Sequence, residues 1–227
     1  MPSRRAVLIS AAMATAGIAF PAWAARGTRP TAPGVEGPFY PLEWPPGPAD
    51  FSALDDDADL LWVRGGSAYA AGTILHLEGR VLGPAREPLP NLEVHIWQVD
   101  AHGRYHHPGD PNSVELDPHF QGFGRSVTDG AGRYAFRTIR PVPYPGRTPH
   151  IHFKLRSACA ADLLTTQMYV AGERGNAEDA IYQSIPEGQR GTVTVKLRRS
   201  GKVTLQGERR KVLRATFDLV LGATPCA

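Results

Sequence analysis

The sequence is poor in cysteine. Cys159 and Cys226 are the only two in 227 residues, and neither lies in a CxxC pair or beside the histidine cluster described below. Neither is therefore assigned a metal-binding or redox role. A single Cys159–Cys226 disulfide, joining the C-terminus to the body of the fold, stays open as an expectation.

The chain also lacks long apolar runs after residue 24, so no later segment approaches the length of a membrane span. No amphipathic helical pattern runs through its middle. With 42% hydrophobic residues, 24 glycines and 21 prolines, the composition favours one loop-rich, all-β domain with a single core.

A strong excess of either charge is missing as well. The formal net charge is +3, and without Arg4 and Arg5 it falls to +1. Such a balanced chain gives no electrostatic reason to expect a nucleic-acid partner or an anionic membrane surface.

The N-terminus has the pattern of an export signal. Arg4 and Arg5 precede an uncharged, alanine-rich stretch that ends in Ala22-Trp23-Ala24, an A-x-A-like cleavage site. We expect residues 1–24 to be a twin-arginine signal peptide, with an uncleaved membrane anchor as the alternative. The mature protein would then be periplasmic or secreted, with no membrane association.

The mature chain divides into two parts. Residues 25–70 are rich in proline, glycine and aspartate and predict an N-terminal arm. From residue 71 to 227, short runs with period-two alternation are separated by turn residues. These runs predict a two-sheet antiparallel β-sandwich with long loops, with strands at 74–82, 92–99, 133–139, 151–155, 165–170, 192–197 and 213–221.

Two histidines and two tyrosines form the candidate site. In His150-Ile151-His152, alternate residues of a strand project from the same face. Prolines flank Tyr144 on both sides and fix its loop, and Tyr105 follows the strand that contains Trp97. A tyrosine is more often a core ring, but two phenols with two imidazoles suit a trivalent ion, and non-heme Fe(III) in particular.

The order of these motifs resembles the catalytic core of intradiol ring-cleavage dioxygenases, most closely the iron-bearing beta subunit of protocatechuate 3,4-dioxygenase. The resemblance extends from about residue 37 to residue 221. It rests on the following motifs: Ile96-Trp97-Gln98, Gly103-Arg104-Tyr105, Phe120 to Arg125, Thr128-Asp129, Tyr134 to Ile139, Pro143-Tyr144-Pro145, His150 to Phe153 and Thr166 to Tyr169.

The resemblance implies a reaction and a role for each residue. A catechol-type substrate and O₂ would react at Fe(III), and the ring would open between its hydroxylated carbons to a muconate-type diacid. Tyr105 and His150 would be equatorial ligands, and Tyr144 and His152 axial ones, with Tyr144 also accepting substrate protons. Arg147 and Gln167 match positions that line the substrate pocket.

Other readings stay open at this stage. The motifs around Gly79 and Asp129 also resemble prealbumin-like and carboxypeptidase-regulatory sandwiches, which would make the chain a non-enzymatic binding module. A third alternative is copper or zinc at the same residues. The segment between Tyr144 and His150 is shorter than in protocatechuate enzymes, which leaves the catechol undetermined, and the sequence leaves open assembly into a homo- or hetero-oligomer.

Overall fold

The computed structural model describes residues 29–41, 57–160 and 162–225. Ten strands form two five-stranded sheets. In the first sheet, β4 (Arg133–Ile139) pairs with one edge of β1 (Ile74–Leu82), and β9 (Glu208–Thr216) and β10 (Leu219–Val220) pair with the other edge. The remaining strand, β8 (Arg198–Leu205), forms a hairpin with β9.

The second sheet carries the histidine pair on its middle strand. Its order is β3-β2-β5-β6-β7, with the bounds Phe123–Val127, Glu93–Trp97, His150–Arg156, Leu164–Val170 and Thr194–Val195. A 3₁₀ turn at Arg174–Ala177 and two short helices, α1 (Ala180–Ser184) and α2 (Glu187–Arg190), connect β6 to β7.

The predicted sandwich is confirmed, but its sheets are mixed. In the described residues β1 pairs in parallel with β9 and with β10, and β6 pairs in parallel with β7. The strand predicted at 213–221 falls on two strands, β9 and β10, because the strand structure is interrupted at Phe217 and Asp218. The sequence analysis missed β8, whose side chains are nearly all exposed and charged or polar, so it lacks the apolar alternation that marks a strand.

The core fills the space between the two sheets. Inward residues of β5, such as Ile151 and Phe153, share one core with residues of the first sheet such as Leu77, and the Phe153 ring packs on the ring of Phe217, which follows β9. The opposite face of β5 is buried as well, at His150, His152 and Lys154. Burial on both faces means that β5 is covered from outside the sandwich.

Part of that cover is the arm segment, residues 29–41. Its backbone bonds to β6 through Gly34 N–H, which donates to Thr165 O at 2.8 Å. Tyr40 anchors its end, because the Tyr40 ring packs on Trp97 and its hydroxyl lies 2.7 Å from His95 Nδ1. The arm predicted over residues 25–70 therefore lies, in this segment, over the outer face of the second sheet.

Three sequence predictions lie partly or wholly outside the described residues, and one of them is the arm, of which residues 25–28 and 42–56 are not described. The expected signal peptide, residues 1–24, is also outside the described residues, and so is Cys226. Cys159 is not a free thiol. Among the described residues, no helix has both the length and the apolarity needed to span a bilayer.

Candidate metal centre

The two histidines point from the outer face of β5 into one site. His150 and His152 are 2% and 3% exposed, and their Nε2 atoms lie 3.1 Å apart. Two nitrogens that each bind one ion at roughly 2.0–2.1 Å, at a right angle, would be about 3 Å apart. The spacing of the pair is therefore that of two donors to a single metal.

The hydrogen bond of His150 and the burial of both rings favour the neutral imidazole, which is the form that binds a metal. His150 Nδ1 donates to Thr148 O at 2.7 Å, which leaves Nε2 unprotonated. Burial, helped by the charge of Arg147, lowers the pKa of His150 to about 4. Burial and the neighbouring His150 lower the pKa of His152 well below its ordinary value. Both imidazoles are neutral at pH 7.

The two tyrosines reach the site on neighbouring loops. Tyr144 lies in a tight turn in which its backbone pairs with that of Arg147. Gly103, with a φ of +85°, lies against this turn, and a Cβ on it would meet Pro143 O at 3.2 Å. Glycine thus allows the loop that carries Tyr105 to approach the loop that carries Tyr144.

All four predicted ligands have adjacent rings. The centroids of Tyr105 and Tyr144 are 5.6 Å apart, those of Tyr144 and His150 5.5 Å, and those of Tyr105 and His152 6.2 Å. Phe39 stacks on Tyr105 at 4.5 Å, and Trp97 stacks on His152 at 4.7 Å. The structure therefore brings together every residue that the sequence analysis named as a ligand, and packs two of them against aromatic walls.

The donor set fits a hard trivalent ion. The hydroxyl of Tyr105 is buried and, apart from the neighbouring Tyr144 phenol, has no hydrogen-bond partner among the described residues, which is costly unless something else satisfies it. Burial, and then the Tyr144 phenol, raise the pKa of Tyr105 well above its ordinary value. The hydroxyl therefore stays protonated until a bound cation lowers that pKa. In the described part of the chain, no group of three or more His, Cys, Asp or Glu side chains is placed to hold a metal.

Arg147 and Gln167, which the resemblance assigns to a substrate pocket, lie beside the four candidate ligands. Arg147 Nη1 is 3.4 Å from the Tyr144 hydroxyl, and Nη2 donates to Gln167 Oε1 at 2.6 Å. Gln167 is held in turn by the arm segment, since its Nε2 donates to Val35 O at 2.8 Å. The guanidinium is thus fixed next to one phenol, with a neutral amide on its other side.

Sequence reasoning missed two polar residues around this arginine. Asp179 accepts from Arg147 Nε at 3.0 Å, and the Tyr169 hydroxyl donates to Gln167 Oε1 at 2.8 Å. Tyr169 stands two positions after Gln167 on β6, so alternation alone could have placed it on the same face. Asp179 is 32 residues from Arg147 and no local pattern marks the pairing.

Comparisons with known proteins relate the chain to dioxygenases. The family model Dioxygenase matches residues 47–223. The chain is 38% identical over 189 residues to the protocatechuate 3,4-dioxygenase beta chain of Burkholderia cepacia, covering 79% of this chain and 77% of that one. It is 29% identical to a hydroxyquinol 1,2-dioxygenase of Rhodococcus opacus, covering 73% of this chain and 60% of the relative.

A solved structure has the same fold. It is the dioxygenase domain of a dioxygenase and carbohydrate-binding protein fusion from Streptomyces sp. SirexAA-E. It superposes with a TM-score of 0.60 at 28% identity, covering 86% of this chain and all of that domain. With a family match over most of its length, the chain belongs to the intradiol ring-cleavage dioxygenases.

Proposed function

We propose that this dioxygenase holds one non-heme Fe(III) through Tyr105, Tyr144, His150 and His152 and opens a catechol-type substrate with O₂. The product would be a muconate-type diacid. The observation that carries the proposal is the convergence of two phenols on two imidazole nitrogens 3.1 Å apart, in a setting that keeps both imidazoles neutral. A non-enzymatic sandwich does not require two phenols and two imidazoles that converge on one point.

Bound Fe(III) would supply a Lewis acid to which the two catechol oxygens chelate, which would favour loss of their protons and so leave the ring electron-rich enough to react with O₂. The remaining work falls to the chain. Of the two phenols, Tyr105 is 3% exposed, whereas Tyr144 is half-buried on its proline-flanked turn. Tyr144 is therefore the ligand placed to exchange with substrate and to take a proton from a catechol hydroxyl at its own oxygen.

Arg147 serves the same step. Its Nη1, 3.4 Å from the Tyr144 oxygen, stabilises negative charge there and at a substrate oxygen that takes its place. Gln167 orients the guanidinium through its Oε1. Phe39 and Trp97 keep water from the two ligands they cover.

We further propose that the protein is exported by the twin-arginine route and acts outside the cytoplasm. Support comes from Arg4 and Arg5 with the Ala22-Trp23-Ala24 cleavage pattern. Twin-arginine export carries folded proteins, which suits an enzyme that must bind its metal first.

The experiment is spectroscopic and then chemical. Iron-loaded protein should be red-brown from tyrosinate-to-Fe(III) charge transfer, and a catechol added without oxygen should shift the band. Oxygen uptake is then measured with catechol, protocatechuate and hydroxyquinol, and ¹⁸O₂ should place both labelled atoms in the diacid. A colourless protein after iron loading, or no uptake with any of the three, contradicts the proposal.

A further inference from the structure

Asp179 is a buried carboxylate that the reaction described above does not use. It is 1% exposed and lies directly before α1. A buried carboxylate is stable only when it is well paired. The four hydrogen bonds of its side chain connect helix α1 to Arg147 and Thr148, which lie between Tyr144 and His150 in the chain.

One oxygen of Asp179 caps the helix. Oδ1 accepts from Ile181 N at 2.9 Å and from Tyr182 N at 3.0 Å. These bonds satisfy N–H groups that have no partner within the helix. They also fix the position and rotamer of the carboxylate, so that its second oxygen is held at a defined place.

That second oxygen binds the segment between two ligands. Oδ2 accepts from Arg147 Nε at 3.0 Å and from Thr148 N at 2.9 Å. The carbonyl of the same Thr148 accepts from His150 Nδ1 at 2.7 Å. Asp179 thus reaches His150 through one residue of backbone, and Tyr144 through the guanidinium of Arg147.

We propose that Asp179 is a positioning residue of the metal centre. It fixes the position of His150 relative to Arg147 and to the Tyr144 hydroxyl beside that arginine. The inference rests on the proposed function and deepens it. The side chain of Asp179 bonds to none of the four proposed ligands, so it acts by fixing the groups next to them. Losing its charge weakens the hold on Arg147 Nε and on Thr148 N–H together, and the two ligands that these groups orient shift as a result.

The electrostatics of the carboxylate agree with this role. Burial alone would raise the pKa of Asp179, but the N–H groups of Tyr182 and Thr148 and the charge of Arg147 hold it below its ordinary value. The ion pair with Arg147 is itself shielded from water, with side-chain exposures of 13% for Arg147 and 0% for Asp179.

The test is Asp179→Asn in the full-length, iron-loaded protein. Replacing a residue that orients a metal ligand typically lowers metal affinity or activity by about 10–100-fold. We expect iron affinity to fall by about that factor, the tyrosinate charge-transfer band to shift, and kcat to fall more than KM rises.

The chain offers a matched control in Asp129→Asn. Asp129 also accepts an arginine Nε on Oδ2, from Arg133 at 2.8 Å, and two backbone N–H groups on Oδ1, at 2.9 Å each. Asp129 sits on the exposed turn between β3 and β4, so its variant should keep the wild-type band, iron affinity and kcat.

An Asp179→Asn protein with the band, iron affinity and kcat of wild type within about twofold overturns the inference. Failure of the proposed function is distinguishable, because the wild-type protein itself would then lack the band. If Asp179→Asn does not fold, Asp179→Glu, which keeps the charge but moves it, gives the answer. A shifted charge-transfer band in that variant supports the inference, and an unshifted band contradicts it.

Discussion

The two tyrosines have the same chemistry but different surroundings. Tyr105 is enclosed by Phe39 and Tyr144, while Tyr144 lies half-buried on a tight turn. Rigid burial suits a ligand that stays in place, and a turn position suits one that leaves. The difference between the two phenols follows from their environment, because their side chains are identical.

We therefore expect the two phenylalanine variants to differ. Tyr144→Phe removes the proposed base and should lower kcat by about 100-fold or more, since general base catalysis contributes about 10²–10⁴-fold. Tyr105→Phe removes a buried anionic donor and should chiefly weaken iron binding. Iron content, the charge-transfer band and oxygen uptake measure these effects.

Tyr69→Phe is the control for this pair, because Tyr69 packs against Trp62 and the main core. Its band and kcat should match those of wild type. Equal behaviour of the Tyr105 and Tyr144 variants in all three measurements would contradict the division of roles.

At the scale of elements, β1 is the strand that joins the first sheet together. It pairs with β4 on one edge and with β9 and β10 on the other. At Gly79 the chain just after β9 approaches closely, and a Cβ there would lie 2.0 Å from Phe217 O and 2.8 Å from the Tyr134 hydroxyl. The absence of a side chain at Gly79 is what allows this crossing.

Gly79→Ala should therefore lower the free energy of unfolding by about 3 kcal/mol, the upper part of the range for overpacked sites. Urea unfolding followed by fluorescence measures it. Gly130→Ala is the control, since a Cβ there meets nothing within 4 Å, and it should change stability by less than about 0.5 kcal/mol. Equal stabilities of the two variants would show that the sheet adapts freely around Gly79.

The elements also show which sequence patterns were informative. Ile74–Leu82 and Arg133–Ile139 were predicted with their observed bounds, because each alternates apolar and polar residues. The basic cluster Arg209-Arg210-Lys211 lies in the β8–β9 hairpin, and its sequence is that of an exposed segment, but Arg210 is buried and donates to Gly72 O. Burial of this arginine depends on a distant loop and could not be seen locally.

At the scale of the whole molecule, the proposed export route and the proposed metal binding depend on each other. If the twin-arginine route carries the protein, folding around iron precedes export. Replacing Arg4 and Arg5 by lysine should keep the protein, still iron-loaded and active, in the cytoplasm. Cell fractionation with oxygen-uptake assays measures this, and the mass of exported wild-type protein should place its N-terminus at Ala25. Export of the double-lysine variant at the wild-type level would argue against this route.

The sequence by itself predicted the sandwich and its central strands, since alternation is a local property of the chain, and the resemblance to intradiol dioxygenases supplied the six residues of the proposed site. Tertiary structure alone decided the mixed pairing of the sheets, the 3.1 Å approach of the imidazoles and the role we propose for Asp179. Asp179 meets Arg147 only because α1 folds back against the turn before β5. Because the two residues are 32 positions apart, no local sequence pattern predicts their contact.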